Sequence, residues 1–316
     1  MQKRKLGKSG LETVPFCIGG NVFGWTADEA ASFKLLDRCV EAGVTLIDTA
    51  DVYSAWMPGH KGGESETVIG AWLKARGPAV RAKVLIATKV GMLAGRQGLK
   101  KANIAAACED SLKRLSIDVI DLYQSHRDDE ETPQEETLEA FGSLIKAGKV
   151  RAIGASNFTA ARLKAALEAS AKHSLPRYET LQPLYNLSDR AGFEGALQDL
   201  CAKEGVSVIP YYGLASGFLT GKYRSEADFK KSIRGMRMGN YLNERGLKIL
   251  AAMDKVAAET KASLAQIALA WLASRPTIAA PIASATSLAQ LDELLGAMKL
   301  ELSPAQIAAL DAASAV

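Results

Sequence analysis

Residues Gly43–Ser54 read GVTLIDTADVYS, a short run rich in apolar side chains, Val44 to Ile47, that breaks at Asp48 and is followed by Tyr53. A strand with apolar residues at successive rather than alternate positions needs cover on both faces, as in a parallel sheet. Upstream, Asp28 to Ala42 has helical period, with Phe33, Leu36 and Val40 among its apolar face and Gly43 as its stop. Helix and strand together form part of a βαβ repeat.

The pattern recurs on both sides of this stretch. Strands are predicted near Val14 to Gly19, Val44 to Asp48, Val84 to Thr88, Val119 to Gln124, Val150 to Gly154, Thr180 to Gln182, Val206 to Pro210 and Ile278 to Ile282. Amphipathic helices are predicted over Glu66 to Arg76, Asn103 to Leu115, Pro133 to Ala147, Ala160 to Ala171, Phe193 to Glu204, Glu244 to Thr260, Leu264 to Ser274 and Leu288 to Met298. Eight such units imply an α/β fold, a (β/α)8 TIM barrel, with residues 1–316 read as one domain. Lys3 to Glu12, with Gly7 and Gly10, reads as an N-terminal β-hairpin that plugs the barrel floor. The spacing breaks once, at Tyr211 to Asn240, a long Gly-, Ser- and Lys/Arg-rich loop after strand seven of the kind that usually carries function.

Bulk composition excludes several classes. Lys plus Arg number 39 against 35 for Asp plus Glu, without a long block of one sign, so a nucleic-acid surface is not indicated. No apolar stretch is long enough to span a bilayer, and the basic N-terminus lacks the apolar segment of a secretion signal. Cys17, Cys39, Cys108 and Cys201 form no CxxC pair, which speaks against a zinc ribbon or a disulfide framework; no metal is called for, and a reducing cytoplasm is the expected setting.

In a parallel barrel, catalytic groups stand at the C-terminal ends of the strands. Polar residues just past each run are Asp48 and Tyr53, Lys89, His126, Ser156 and Asn157, Gln182, and Tyr211. Taken singly, each has an ordinary explanation: a helix cap or turn for the aspartate, packing for the tyrosine, a solvated lysine.

Taken together, "GVTLIDTADVYS", "VLIATKVG", "IDLYQSHRDD", "GKVRAIGASNF", "LQPLYN" and "ASGFLTGKY" make the chain resemble the aldo-keto reductase family over nearly its whole length. The resemblance implies an NAD(P)(H)-dependent oxidoreductase that reduces an aldehyde or ketone to the alcohol. It also implies a catalytic tetrad of Asp48, Tyr53, Lys89 and His126. The residue types suit that chemistry, because a carbonyl receiving hydride develops an alkoxide that needs a proton and charge stabilisation. Lys89, held by Asp48, is expected to lower the phenol pKa of Tyr53, and His126 to donate a hydrogen bond to the substrate oxygen.

By the same resemblance, Ser156, Asn157 and Gln182 would bind the nicotinamide carboxamide and Tyr211 would stack on its ring, although Asn157 also reads as a helix N-cap. Leu214, Ser216, Leu219 and Lys222 would follow the pyrophosphate. Ser284, Thr286, Gln290 and Glu293 would meet the adenosine. The family's usual Lys or Arg for a 2′-phosphate is absent from "PIASATSLAQLDELLGA", so NADP(H) is the expected cofactor with Lys222 or Arg224 as substitute cation, and NAD(H) the alternative. No GxGxxG or P-loop is present. Trp25, Trp56, Met57 and Arg127 are the substrate-pocket candidates, and the indoles suit a bulky cyclic or sugar-like carbonyl. Trp72 and Trp271 read as core. A small-molecule substrate, no nucleic acid or membrane, and a monomer or weak homo-oligomer complete the expectation. Two alternatives are a Schiff-base lyase using Lys89 and a non-catalytic cofactor-binding subunit.

Overall fold

The computed structural model describes residues 2–231 and 235–315. It opens with an antiparallel hairpin of β1 (Arg4–Lys5) and β2 (Glu12–Thr13). Eight further strands follow: β3 (Cys17–Gly19), β4 (Leu46–Asp48), β5 (Leu85–Val90), β6 (Ile120–Ser125), β7 (Val150–Ser156), β8 (Tyr178–Gln182), β9 (Ser207–Val208) and β10 (Ile282–Ala283). Their order is β10-β3-β4-β5-β6-β7-β8-β9, and every neighbouring pair is parallel. The two end strands meet through a parallel bridge between Val208 and Ile278 and through Ile282 N–H donating to Pro210 O at 2.9 Å, which closes the sheet into a (β/α)8 barrel.

Helices α1 (Glu29–Glu41), α2 (Glu64–Arg76), α3 (Pro78–Arg81), α4 (Lys101–Leu115), α5 (Gln134–Lys146), α6 (Ala160–His173), α7 (Ala196–Glu204), α8 (Glu244–Thr260), α9 (Leu264–Ala273), α10 (Leu288–Leu295) and α11 (Pro304–Ala313) accompany the sheet. Strands three to six were expected within a residue or two of where they lie. The first and last are shorter than expected, because Pro15 and Pro281 have no N–H to give a ladder. Helices α3 and α11 were not anticipated, although Ser303 and Gln306 form a reciprocal capping box at the start of α11. The predicted long loop after strand seven holds short 3-10 turns over Ala215–Thr220, Glu226–Lys231 and Gly235–Asn240, and residues 232–234 of it lie outside the described residues.

Two apolar cores result. The larger lies between sheet and helices and includes Trp72 and Trp271, both fully buried. The smaller fills the barrel floor with Cys17, Leu46, Ala87, Leu122, Ala152, Ile209 and Ala279, and the hairpin's Leu6 and Leu11 seal it from below. Among the described residues, no helix is long and apolar enough to cross a membrane, and all four cysteines are free and buried.

Candidate active site at the barrel mouth

Side chains of a strand alternate faces, so the inward residue two places after a floor residue reaches the next layer up. Leu46 is thus followed by Asp48, Ala87 by Lys89, and Leu122 by Gln124. Lys89 is fully buried, and all three of its N–H groups are engaged: with Asp48 Oδ2 at 2.6 Å, Thr49 O at 2.8 Å and Tyr53 Oη at 2.8 Å. Tyr53 stands on a turn after β4, its N–H donating to Ala50 O at 3.2 Å, and its hydroxyl also lies 3.4 Å from Asp48 Oδ2. The other oxygen of Asp48 accepts from Gln182 Nε2 at 2.9 Å and Gln124 Nε2 at 3.2 Å. Gly154 makes room for this layer, since a Cβ there would sit 2.3 Å from Thr180 Oγ1 and 3.1 Å from Gln124 Cγ. The His126 ring approaches Tyr53 edge-on, centroids 6.0 Å apart.

The electrostatics correct one expectation. Burial first, and then the Asp48 carboxylate, push the Tyr53 phenol well above its ordinary value rather than below it. Asp48 sits against ammonium and phenol alike, so it offsets the charge that was expected to acidify Tyr53. His126 goes the other way: burial, then Lys89 and Arg127, hold it well below the usual imidazole value, so the ring is neutral near pH 7. Its Nδ1 is buried without a partner, consistent with the single N–H of a neutral ring serving the open side.

A cleft of about 710 Å3 begins at this cluster and runs between the loops after β9 and β10, a size within the roughly 300–1,000 Å3 of small-molecule sites. Asp48, Tyr53, His126, Ser156, Asn157, Gln182, Tyr211, Leu214, Ser216, Lys222, Ser284, Thr286, Gln290, Glu293 and Trp56 all line it.

Several expected contacts are already engaged within the protein. Tyr211 Oη donates to Asn157 Oδ1 at 2.7 Å, Asn157 Nδ2 donates to His126 O at 3.0 Å and Ser156 Oγ at 3.1 Å, and Ser156 Oγ donates to Gln182 O at 2.8 Å. Gln182 gives its N–H groups to Asp48 and Gln124, while its Oε1 accepts nothing from the described residues. Asn157 is not the N-cap of α6; Thr159 is, accepting from Arg162 N. At the far end Ser284 Oγ donates to Asn21 Oδ1 at 2.6 Å, and Gln290 Oε1 accepts from Thr286 N at 2.9 Å.

Five candidates stand apart from the cleft lining or are already engaged. Leu219 is fully buried in the larger core. Met57 and Arg127 lie outside the cleft lining, Arg127 on the surface, and Trp25 stands behind Trp56 edge-on, its Nε1 donating to Asn21 O. Arg224 is no free cation, because both terminal nitrogens pair with Asp254. In these loops the side-chain direction follows local turns that periodicity does not encode. Asn21, Met92 and Tyr212 line the cleft unanticipated; Asn21 follows β3 as the other candidates follow their strands, so the same rule could have found it.

Barrels with polar mouths serve many chemistries, and likeness to known proteins narrows the choice. The chain belongs to the aldo/keto reductase family, whose model matches residues 15–315. It is 33% identical to Protein tas of Escherichia coli, covering 99% of this chain and 97% of that protein. It is 32% identical to a probable voltage-gated potassium channel subunit beta of Oryza sativa, over 94% and 91% of the two chains. With L-glyceraldehyde 3-phosphate reductase of Escherichia coli the identity is 30%, over 98% and 92%. The protein is thus an NAD(P)H-dependent oxidoreductase of the carbonyl-reducing kind.

Proposed function

We propose that Tyr53 is the proton donor in reduction of a bulky, uncharged cyclic aldehyde or ketone, with His126 orienting the substrate oxygen. The observation that carries this is the 2.8 Å contact between Lys89 Nζ and Tyr53 Oη inside a buried cluster that opens onto the cleft. A bound nicotinamide supplies the hydride. The chain's part is to meet the alkoxide that results. A phenol held high stays protonated at neutral pH, yet remains far more acidic than an alcohol, so its proton passes to the substrate oxygen as that oxygen becomes basic. The phenolate left behind receives the Lys89 hydrogen bond, and charged partners make such bonds roughly twice as strong as neutral ones. Full engagement of the Lys89 nitrogen also speaks against a Schiff-base role, which needs a free amine.

The cleft suits a dinucleotide. Polar side chains stand at both ends, and Gly217, at φ +101°, keeps the backbone of one wall bare. Gln182 Oε1 is the unpartnered acceptor for a carboxamide N–H, and Tyr211, fixed by Asn157, offers a ring face. NADP(H) is the preferred cofactor on the ground that Lys222 lines the cleft, its ammonium over the Tyr223 ring at 5.1 Å from the centroid and in no ion pair among the described residues. Trp56 is half exposed and its ring lies 6.1 Å from that of Tyr53, which places an apolar face beside the proton donor.

A panel of aryl, alicyclic and phosphorylated carbonyls with NADPH or NADH, followed at the nicotinamide absorbance, tests the reading. Turnover of the uncharged cyclic compounds with NADPH is expected, with KM rising about tenfold in Trp56→Ala, roughly the 1.4 kcal/mol of one lost aromatic contact. Unchanged KM, or a preference for the phosphorylated substrates, would refute the substrate class; a preference for NADPH over NADH below about tenfold would refute the cofactor assignment.

A further inference from the structure

Behind the turn that carries Tyr53 lies a second group of ionisable side chains that proton donation does not use. Asp51 is fully buried, and neither carboxylate oxygen makes a well-formed hydrogen bond, although the Val52 N–H lies near enough to favour the charged form. A buried carboxylate so weakly partnered is costly if charged, and far less so as the neutral acid. Four other ionisable groups, from four elements, lie within electrostatic reach of it. Glu66 of α2 is fully buried, accepting from Thr88 Oγ1 at 2.5 Å and from Arg114 Nε of α4 at 2.6 Å. Lys89 comes from β5 and Tyr123 from β6, and the Tyr123 hydroxyl is buried without a partner. Gly63 keeps Arg114 in place, because a Cβ there would lie 2.4 Å from its Cδ.

The backbone of Asp51 belongs to the tetrad's own scaffold. Its N–H donates to Lys89 O at 3.3 Å, and Tyr53 follows two residues later. A Cβ on Gly62 would come within 2.9 Å of Asp51 O, so that glycine lets the chain close over the turn.

We propose that Asp51 is a positioning residue: as a neutral acid it seats the Ala50–Tyr53 turn against the Glu66–Arg114 pair and holds the phenol on Lys89, and on losing its proton it draws Arg114 from Glu66 and loosens the turn. Burial and the Glu66 charge, against the pull of Arg114 and Lys89, push its carboxyl up to about 7. Tyr53 is held far above that range and His126 well below the usual imidazole value. Asp51 therefore changes charge near neutrality where the phenol does not. The proposal rests on Tyr53 being the proton donor.

The test follows the rate of carbonyl reduction at saturating NADPH from pH 6 to 8.5. The wild type is expected to slow about five- to tenfold with a midpoint near 7, well inside the roughly hundredfold that a small misplacement of a reacting group can cost. Asp51→Asn should hold the low-pH rate across the range. Glu66→Gln should move the midpoint down, since removing a like charge and freeing Arg114 both favour the Asp51 carboxylate. A wild type without the decline, an Asp51→Asn enzyme that keeps it, or an unmoved midpoint in Glu66→Gln would overturn the proposal, and the last decides it if Asp51→Asn does not fold.

A substrate-free readout separates this device from the reductase reading. Trp56 emission, taken as wild type minus Trp56→Phe, should show the same transition and lose it in Asp51→Asn. That transition without carbonyl turnover would sustain the role of Asp51 and sink the assigned reaction; turnover without it would overturn the role of Asp51.

Discussion

The floor and the mouth of the barrel are built from the same strands, two residues apart, and differ in almost every physical respect. Leu46, Ala87 and Leu122 make a dry apolar layer, sealed by Leu6 and Leu11. One layer up, Asp48, Lys89 and Gln124 make a buried polar network in which the ammonium has three partners and the carboxylate four. Stability is supplied by the first layer, since burial of apolar area is its only strong contribution. The second layer is a costly arrangement, because buried ion pairs repay their desolvation only when geometry and further hydrogen bonds are good. The comparison teaches that a period of two lets one strand serve both ends.

The largest effect on the comparison should come from the floor. Leu122→Ala is expected to lower unfolding free energy by about 2–5 kcal/mol, as large-to-small core changes do, while kcat per folded molecule stays within about twofold. Denaturant titration beside steady-state kinetics checks both halves; a collapse of kcat with unchanged stability would mean that the two layers do not divide the work.

A smaller effect sharpens the mouth's side. Asp51 has its folded pKa raised from 3.8 to about 7, so its contribution to stability is fully present below the unfolded value and is lost as pH rises through the folded one. Between pH 5 and 8 the wild type should therefore lose about 2–3 kcal/mol relative to Asp51→Asn, at about 1.4 kcal/mol per pK unit. Parallel urea titrations at the two pH values measure the difference; equal pH dependence in the two proteins would contradict it.

Much of this division is legible in the sequence. Val44 to Asp48 and Val84 to Lys89 announce strand, barrel and the buried Asp48–Lys89 pair together, because an apolar run ending in a polar residue specifies both burial and position. Asp51 and Glu66 were not legible. Full burial of a carboxylate runs against what its residue type suggests, and the partners that permit it, Arg114 among them, lie far off in sequence. Leu219, Met57 and Arg127 stand apart from the cleft for another reason: they sit on irregular segments, where direction depends on φ and ψ rather than on spacing. Ser216, at φ 58°, and Asn157, at φ 57°, show how irregular those walls are. The sign of the Tyr53 shift failed because a pairwise argument counted Lys89 and left out burial, the larger cause, and the charge of the Asp48 carboxylate.

The central claim is that the phenol of Tyr53, bonded to a buried ammonium, delivers the proton. Single-turnover reduction of an aryl aldehyde by Tyr53→Phe, with NADPH affinity measured on the same protein, tests it most directly. The rate should fall by about 10² to 10⁴, the usual worth of a general acid, with NADPH Kd unchanged within about threefold. A variant that turns over within about threefold of wild type would show that the proton comes from elsewhere.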